Sequence, residues 1–312
     1  MDITLLQARD LIHQSDVIAV ATETVYGLAA SIDRPEAIEK IFSLKGRPKD
    51  NPLIIHVAKV ADLLPFLKYI PDDFSKVANA FWPGPLTIVL PVFEEKISPH
   101  IRANLPTCAF RIPSLPLTRE LLTVTGPLVM PSANISGRPS STCKEHVEAD
   151  FGKEFPVLNG GMCLKGVEST ILYYNEENKV WQIIRQGALT KEAFLHVLHY
   201  EPEIVKPKPK KKPICPGQFY RHYAPKAKLI LTKKIPEKFS GTILGFDSRS
   251  YPKGVALYSL GEINQPEMAA KKLYHTLRQL DLDRVDEALV DIDIPAHGIF
   301  TTILERLHKA AG

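Results

Sequence analysis

The chain has 312 residues, 45% hydrophobic and 24% charged, the balance of an ordinary soluble globular protein long enough for two domains. No apolar run approaches the roughly 20 residues of a membrane span, and the acidic, amphipathic start MDITLLQARDLIHQ lacks the features of a signal peptide, so a cytoplasmic protein with no membrane partner is expected. The formal charge of +4 is local: residues 201–225 hold five lysines and Arg221 against Glu201 and Glu203, so the remainder is neutral and bulk charge gives no argument for a nucleic-acid surface.

In chain order, Leu5, Ala8, Leu11 and Ile12 recur at helical spacing and predict a helix over Thr4 to His13, followed by a strand from Val17 to Ala21. Further helices are expected near Pro35 to Leu44, Asp72 to Phe81, Leu117 to Thr123, Cys143 to Phe151 and Lys191 to Leu198. Further strands are expected at Leu53 to Val57, Leu86 to Val92, Ala109 to Ile112, Pro127 to Met130, Phe155 to Leu158, Thr170 to Tyr174 and Val180 to Ile184. Several strands follow one another directly, which favours a twisted mixed α/β sheet with helices on one side over strict βαβ winding. Residues 201–225, with six prolines and a lysine run, predict an extended, polyproline-like linker, although its end PGQFYRHYAP is more aromatic than a passive tether. Beyond it, strands at Lys228 to Leu231, Gly241 to Phe246, Gly254 to Ser259 and Glu287 to Ile292 alternate with two helices. That alternation predicts a small, parallel, Rossmann-like α/β unit. The expected plan is a domain over 1–200, a linker over 201–225 and a second domain over 226–312.

Residues Lys45 to His56, KGRPKDNPLIIH, carry the densest chemistry. A helical run ends at Gly46, and a turn stiffened by Pro48 and Pro52 feeds the next strand. Three cations and an Asn on such a turn suit a polyanion such as a nucleoside triphosphate. Arg47, expected to stand exposed, matters most because its planar fork matches phosphate oxygens in pairs. A solvated charged turn fits the same residues. Thr22 to Gly27 sits at the carboxyl end of a strand, where α/β sheets bind ligands, or is a plain polar turn. Pro131 to Ser140 offers close backbone approach plus Ser132, Asn134 and Ser140, or is simply a loop. Gly166 to Thr170 opens a strand, and Arg185 closes the next. Arg111, inside an apolar run, is a strand-edge charge or a buried carboxylate clamp, and burial requires a partner. No G-x-x-x-x-G-K-[ST] loop occurs, so a triphosphate site has to be built another way. Cys108, Cys143, Cys163 and Cys215 form no C-x-x-C pair, and no zinc site, disulfide framework or other metal ligand is expected.

The segments TETVYGL, KGRPKDNPLIIH, FWPGPLT, PSANISGRPS, GVESTI and IIRQGA occur in the order and approximate spacing of the YrdC-like threonylcarbamoyl-AMP synthases. PGQFYRHYAP and YSLGEINQPEMAAKKLYHTLRQLD resemble the two-domain form of that family. The resemblance implies that L-threonine, bicarbonate or CO2, and ATP give threonylcarbamoyl-AMP and pyrophosphate. Separate transferase proteins then carry the threonylcarbamoyl group to tRNA. It implies threonine contacts at Thr24, His56, Arg111, Met130 and Ser169. It implies ATP contacts at Lys45, Arg47, Asn51, Thr107, Ser132, Asn134, Ser140 and Arg185, with Lys45 and Arg47 as the catalytic cations. Mg2+ would arrive with the nucleotide, because no carboxylate pair stands at metal-site spacing. Tyr223, beside Arg221 and His222, would close over the nucleotide and make the linker a lid. Three positions depart from the family pattern: Ala21 for Pro, Leu115 for His, and Glu305 before Arg306 for Asn. The rival reading is an RNA-binding or ribosome-assembly module, with weak RNA affinity carried by the linker or a local patch.

Overall fold

The computed structural model describes residues 1–205 and 222–312; the proline-lysine run, Cys215 and Arg221 lie outside the described residues. The first sheet is built from β1 (Ile18–Val20), β2 (Gly27–Ser31), β3 (Ile54–His56), β4 (Leu86–Pro91), β5 (Thr107–Arg111), β6 (Leu128–Val129), β7 (Val157–Leu158), β8 (Thr170–Asn175), β9 (Val180–Arg185) and β10 (Glu203–Ile204). Its order is β10-β9-β8-β4-β5-β3-β6-β2-β1-β7. Parallel pairs such as β3 with β5 and β4 with β8 alternate with antiparallel ones such as β4 with β5, as expected of a mixed sheet. Strand β2, GLAAS, has no β-branched residue and gave no strand signal; pairing with β1 and β6 imposes it. The linker region opens with β10, a short edge strand parallel to β9.

Around this sheet lie α1 (Leu5–His13), α2 (Pro35–Lys45), α3 (Phe74–Phe81), α4 (Pro99–Arg102), α5 (Pro116–Thr125), α6 (Lys144–Phe151) and α7 (Leu195–Leu198). They cover both faces, which corrects the expectation of helices on one side. In β1, Ala19 packs into the core with Ile38, Ile41 and Phe42 of α2. Its neighbours Ile18 and Val20 pack with Ala8 and Ile12 of α1 and Leu121 and Leu122 of α5. A period of two in the strand thus feeds two layers. The same alternation positions the site. Ile55 and Phe110 point into the α2 side, so His56 and Arg111 emerge together on the other face.

The second sheet, with β11 (Lys228–Thr232), β12 (Thr242–Gly245), β13 (Ala256–Ser259) and β14 (Glu287–Asp291), has the order β11-β14-β12-β13 and is parallel throughout, as expected. The helices α8 (Pro266–Leu282) and α9 (Phe300–Ala311) supply much of its core. That core also takes in Val25 and Val167 from the first sheet's loops, and Tyr223. Asp150, fully buried on α6, is met by Arg278 of α8 at 2.8 Å, and Arg278 also donates to the Pro139 carbonyl at 2.6 Å. Cys143 and His146, three residues apart, meet the distant His275 at this boundary, with their ligand-type atoms within 4.8 Å. His146 Nδ1 accepts the Thr142 N–H at 3.2 Å, so its proton sits on Nε2, which donates to His275 Nδ1 at 3.3 Å. Among the described residues no helix is long and apolar enough to cross a membrane.

Gly166 marks the closest approach. Its φ is +71°, and a Cβ there would lie 2.3 Å from Lys271 Cα on α8. Gly166→Ala should therefore destabilise the protein by about 2 kcal/mol or more, through both backbone strain and backbone overlap. Thermal unfolding of the full chain checks this, and an unchanged midpoint would contradict the close approach.

Candidate active site

A cleft of about 710 Å³, counting the part that opens to solvent, lies where the carboxyl ends of β3 and β5 meet the loops Thr22 to Tyr26 and Pro131 to Ser140. Thr24, Lys45, Arg47, His56, Arg111, Met130, Ser132, Asn134, Ser140, Ser169, Arg185 and Tyr223 all line it. The positions drawn together from the sequence thus converge, with two exceptions. Asn51 lies behind the wall, buried, where its carbonyl accepts from Arg47 Nε at 3.2 Å. Thr107 is at the other end of β5 from Arg111, about 13 Å away at strand rise, in a separate hollow with Lys68, Tyr69 and Phe93. The structure does not bring Thr107 to the cleft.

At one end, Thr22 Oγ1 donates to the Val25 carbonyl at 2.6 Å, so it can only accept from Thr24 Oγ1, 2.9 Å away. This leaves the lone pairs of Thr24 Oγ1 as the acceptor on the buried wall. His56 is buried, and its Nδ1 lies 3.3 Å from the Ile54 carbonyl, which fixes the ring proton there and makes Nε2 an acceptor. Burial, reinforced by the Arg111 charge, holds the imidazole pKa well below its ordinary range, so the ring is neutral. Arg111 is buried and has the partner that burial demands: Nη2 donates to Glu23 Oε1 at 2.6 Å, and Nε to the Gly84 carbonyl at 3.3 Å. Glu23 Oε2 in turn accepts the Ser114 N–H at 3.1 Å. Sequence reasoning gave Glu23 no role, though the need for a carboxylate beside a buried Arg111 was its signal. Gly27 packs its Cα side against Met130, where an added Cβ would lie 3.1 Å from Met130 Cβ.

At the other end, Lys45 is only 2% exposed and its Nζ grips two loop carbonyls, Ser132 at 2.5 Å and Asn134 at 2.6 Å. Burial first, and then the Arg47 charge, pull its pKa well below the ordinary ammonium range. Arg47 is half-buried rather than exposed, and its Nη2 also donates to the Pro52 carbonyl at 2.7 Å, so it braces the turn that presents it. The Oδ1 atoms of Asn51 and Asn134 are buried with no hydrogen-bond partner among the described residues. Arg185 donates to the Ser169 carbonyl at 2.9 Å and to its Oγ at 3.1 Å, and Ser169 Oγ also meets Thr87 Oγ1 at 2.7 Å. Tyr223, with φ +66°, is buried against the cleft. The next residue joins the Pro131 to Ser140 loop, Ala224 N–H donating to the Gly137 carbonyl at 2.8 Å.

Among the described residues, five cations (Lys45, Arg47, Arg111, Arg138 and Arg185) and one carboxylate, Glu168, line the cleft. Glu168 is tied on all sides: Ser140 Oγ at 2.7 Å, Tyr274 OH at 2.8 Å and Arg306 Nε at 3.0 Å. Burial alone would raise its pKa, but Arg306, Arg185 and the Ser140 hydroxyl outweigh it and bring the carboxyl from an ordinary 4.5 to about 2. The departures Ala21 and Leu115 lie outside the cleft lining and pack on one spot: a Cβ on Gly160 would be 2.8 Å from Ala21 Cβ and 2.9 Å from Leu115 Cδ2.

Because the folded carboxyl is the stronger acid, its stabilisation is complete above pH 4.5 and is lost as pH falls toward 2. The thermal midpoint should drop across that window, and Glu168→Gln should flatten part of the drop while lowering the midpoint at neutral pH. An unchanged acid slope in the variant would show that Glu168 is not the group responsible.

Two family profiles match. The one described as "Telomere recombination" (Sua5, YciO, YrdC) covers residues 10–187, and "Threonylcarbamoyl-AMP synthase, C-terminal domain" covers residues 189–312. The threonylcarbamoyl-AMP synthase of Bacillus subtilis is 36% identical to the chain over 100% of its length and 94% of the relative's. That of Pyrococcus abyssi is 36% identical over 98% of the chain and 93% of the relative. Among solved structures, P. abyssi Sua5 complexed with L-threonine superposes with a TM-score of 0.88 at 33% identity, covering 99% of this chain and 95% of that one. The chain belongs to the threonylcarbamoyl-AMP synthase family, in its two-domain form.

Proposed function

We propose that the cleft makes threonylcarbamoyl-AMP and pyrophosphate from L-threonine, bicarbonate or CO2, and MgATP. The observation that carries this is the charge pattern of the cleft: among the described residues, five cations against one fully engaged carboxylate, in a site without a P-loop. Such a wall suits a triphosphate. Lys45, Arg47, Ser132, Asn134, Ser140 and Arg185 take the nucleotide, with Asn51 supporting Arg47 from behind and Tyr223 covering it. Mg2+ enters on the triphosphate, since Glu168, the only lining carboxylate among the described residues, already has three partners. Threonine lies at the opposite end. Arg111 binds its carboxylate while keeping Nη2 on Glu23, and neutral His56 and Thr24 accept from its amine or hydroxyl. Met130 and Ser169 complete that end.

The amine of threonine adds CO2 to form a carbamate, releasing a proton. A carbamate oxygen then attacks the α-phosphorus of ATP, and the bond to the β-phosphate oxygen breaks as pyrophosphate leaves. No covalent bond to the protein is needed. Catalysis rests on holding two anions together and offsetting charge as pyrophosphate departs, the work of Lys45 and Arg47. A covered cleft also protects the carbamate and the adenylate from water. The labile product requires a partner that consumes it, a transferase acting on tRNA. No specific observation favours RNA binding without catalysis.

Purified protein with ATP, Mg2+ and bicarbonate should release pyrophosphate only when L-threonine is present; threonine-independent release would sink the assignment. Arg47→Ala should lower the rate by about 100-fold or more. Because Arg47 also braces its turn, the same change should cost about 1–2 kcal/mol of stability. With His56 neutral throughout, KM for threonine should show no His56 titration between pH 6 and 8. A step near pH 6.5 that vanishes in His56→Gln would contradict the buried, neutral ring.

A further inference from the structure

We propose that Arg306, on the last helix of the C-terminal α/β unit, is a positioning residue for the nucleotide half of the cleft; this deepens the synthase reading and rests on it. Arg306 is fully buried and reaches three separate pieces of the site. Its Nε donates to Glu168 Oε2 at 3.0 Å, and its Nη2 donates to the Gln186 carbonyl, next to Arg185, at 2.7 Å. Its guanidinium carbon stands 4.8 Å over the Tyr223 ring, a cation–π distance. Tyr274, from α8, completes the arrangement. Its hydroxyl meets both Glu168 oxygens at 3.0 and 2.8 Å, and its ring stacks on Tyr223 at 5.3 Å with a 20° tilt.

The consequence follows from the geometry. Glu168 accepts from Ser140, so the rotamer of a residue assigned to ATP depends on where Arg306 and Tyr274 hold that carboxylate. Tyr223 packs against the same two side chains, so its seat at the cleft is set by the C-terminal unit. At the threonine end, Arg111 and Thr24 are anchored by other means, and Ser169 alone, next to Glu168, shares this support. Arg111 is held by Glu23, Thr24 by Thr22, and Ser169 by Thr87 and Arg185. A planar fork is needed to serve Glu168, Gln186 and a ring face at once, which a lysine cannot do. An ion pair that merely glued the two units together would, when weakened, affect both substrates alike. Positioning affects the nucleotide selectively.

The test uses Arg306→Lys and Tyr274→Phe in the full chain. It reads the ATP Kd by equilibrium binding, and KM for ATP and for threonine from pyrophosphate release. Arg306→Lys should weaken ATP by about tenfold, the loss of one or two charge-assisted hydrogen bonds, with the threonine KM within about threefold of wild type. Tyr274→Phe keeps the ring stack, removes one hydroxyl, and should weaken ATP by about threefold, which remains readable if the lysine variant does not fold. Wild-type ATP affinity in both variants, or equal losses for both substrates, would overturn the inference. If the wild type released no pyrophosphate with threonine, the synthase reading would fall, whereas the ATP Kd of the variants would still decide the role of Arg306.

Discussion

A carboxylate taken fully out of water must be surrounded by donors, and Glu168 is the point where this protein meets that requirement with groups from both of its sheets. Removing such a charge from water carries a penalty of several kcal/mol, offset only where hydrogen bonds and a counter-charge have good geometry. Here the donors are Ser140 from the loop after β6, and Tyr274 and Arg306 from α8 and α9. The arrangement cannot form in either unit alone. It also cannot relax locally, because Gly166, two residues upstream, already lies against the α8 backbone, and Gly187 lies against the backbone of Ser169 and Thr170. The strand that presents Ser169 is thereby fixed relative to the C-terminal unit before any substrate arrives.

The same logic explains which half of the cleft is rigid in which way. Lys45 spends its ammonium on the carbonyls of Ser132 and Asn134, and Ser136 N–H returns a bond to the Lys45 carbonyl at 2.8 Å. The turn after α2 and the loop after β6 thus become one piece. A cation buried among carbonyls is a local source of positive potential that costs no reorganisation when an anion binds. Its depressed pKa has burial as its leading cause and Arg47 as its second. An incoming triphosphate reverses that second contribution, so binding the nucleotide and keeping Lys45 charged favour each other.

Local pattern made much of this legible. The helical period stopping at Gly46, which has φ +58° and caps α2, placed the cationic turn correctly between helix and strand. Alternation along β3 and β5 placed His56 and Arg111, in register, on one face. What local pattern could not carry was anything decided by distant residues. Glu168 and Arg306 are 138 positions apart, and Glu23 and Arg111 are 88 apart. A single sequence contains the demand for a partner but not its address. Strand β2 was invisible because small residues become a strand only when neighbours supply the ladder. Thr107, implied by the resemblance, stands at the opposite end of β5 from Arg111, a placement that only the folded strand reveals.

The departures from the family pattern gain a physical reading from the same packing. Ala21 stands just after β1 and Leu115 just before α5. Both pack against Gly160, and neither lines the cleft. Ala21 is further held through its carbonyl, which accepts from Thr118 Oγ1 on α5 at 2.5 Å. The turn after β1 is therefore pinned by a hydrogen bond and an apolar contact in place of a proline ring, and the Thr22–Thr24 hydroxyl chain beyond it stays in order. Glu305 is a third case of the same kind. It accepts from Arg306 Nη1 at 2.7 Å and Lys309 Nζ at 2.5 Å, so it steadies the guanidinium that Glu168 needs without competing for its Nε. At each of these positions the side chain makes a support behind the cleft and does not line it.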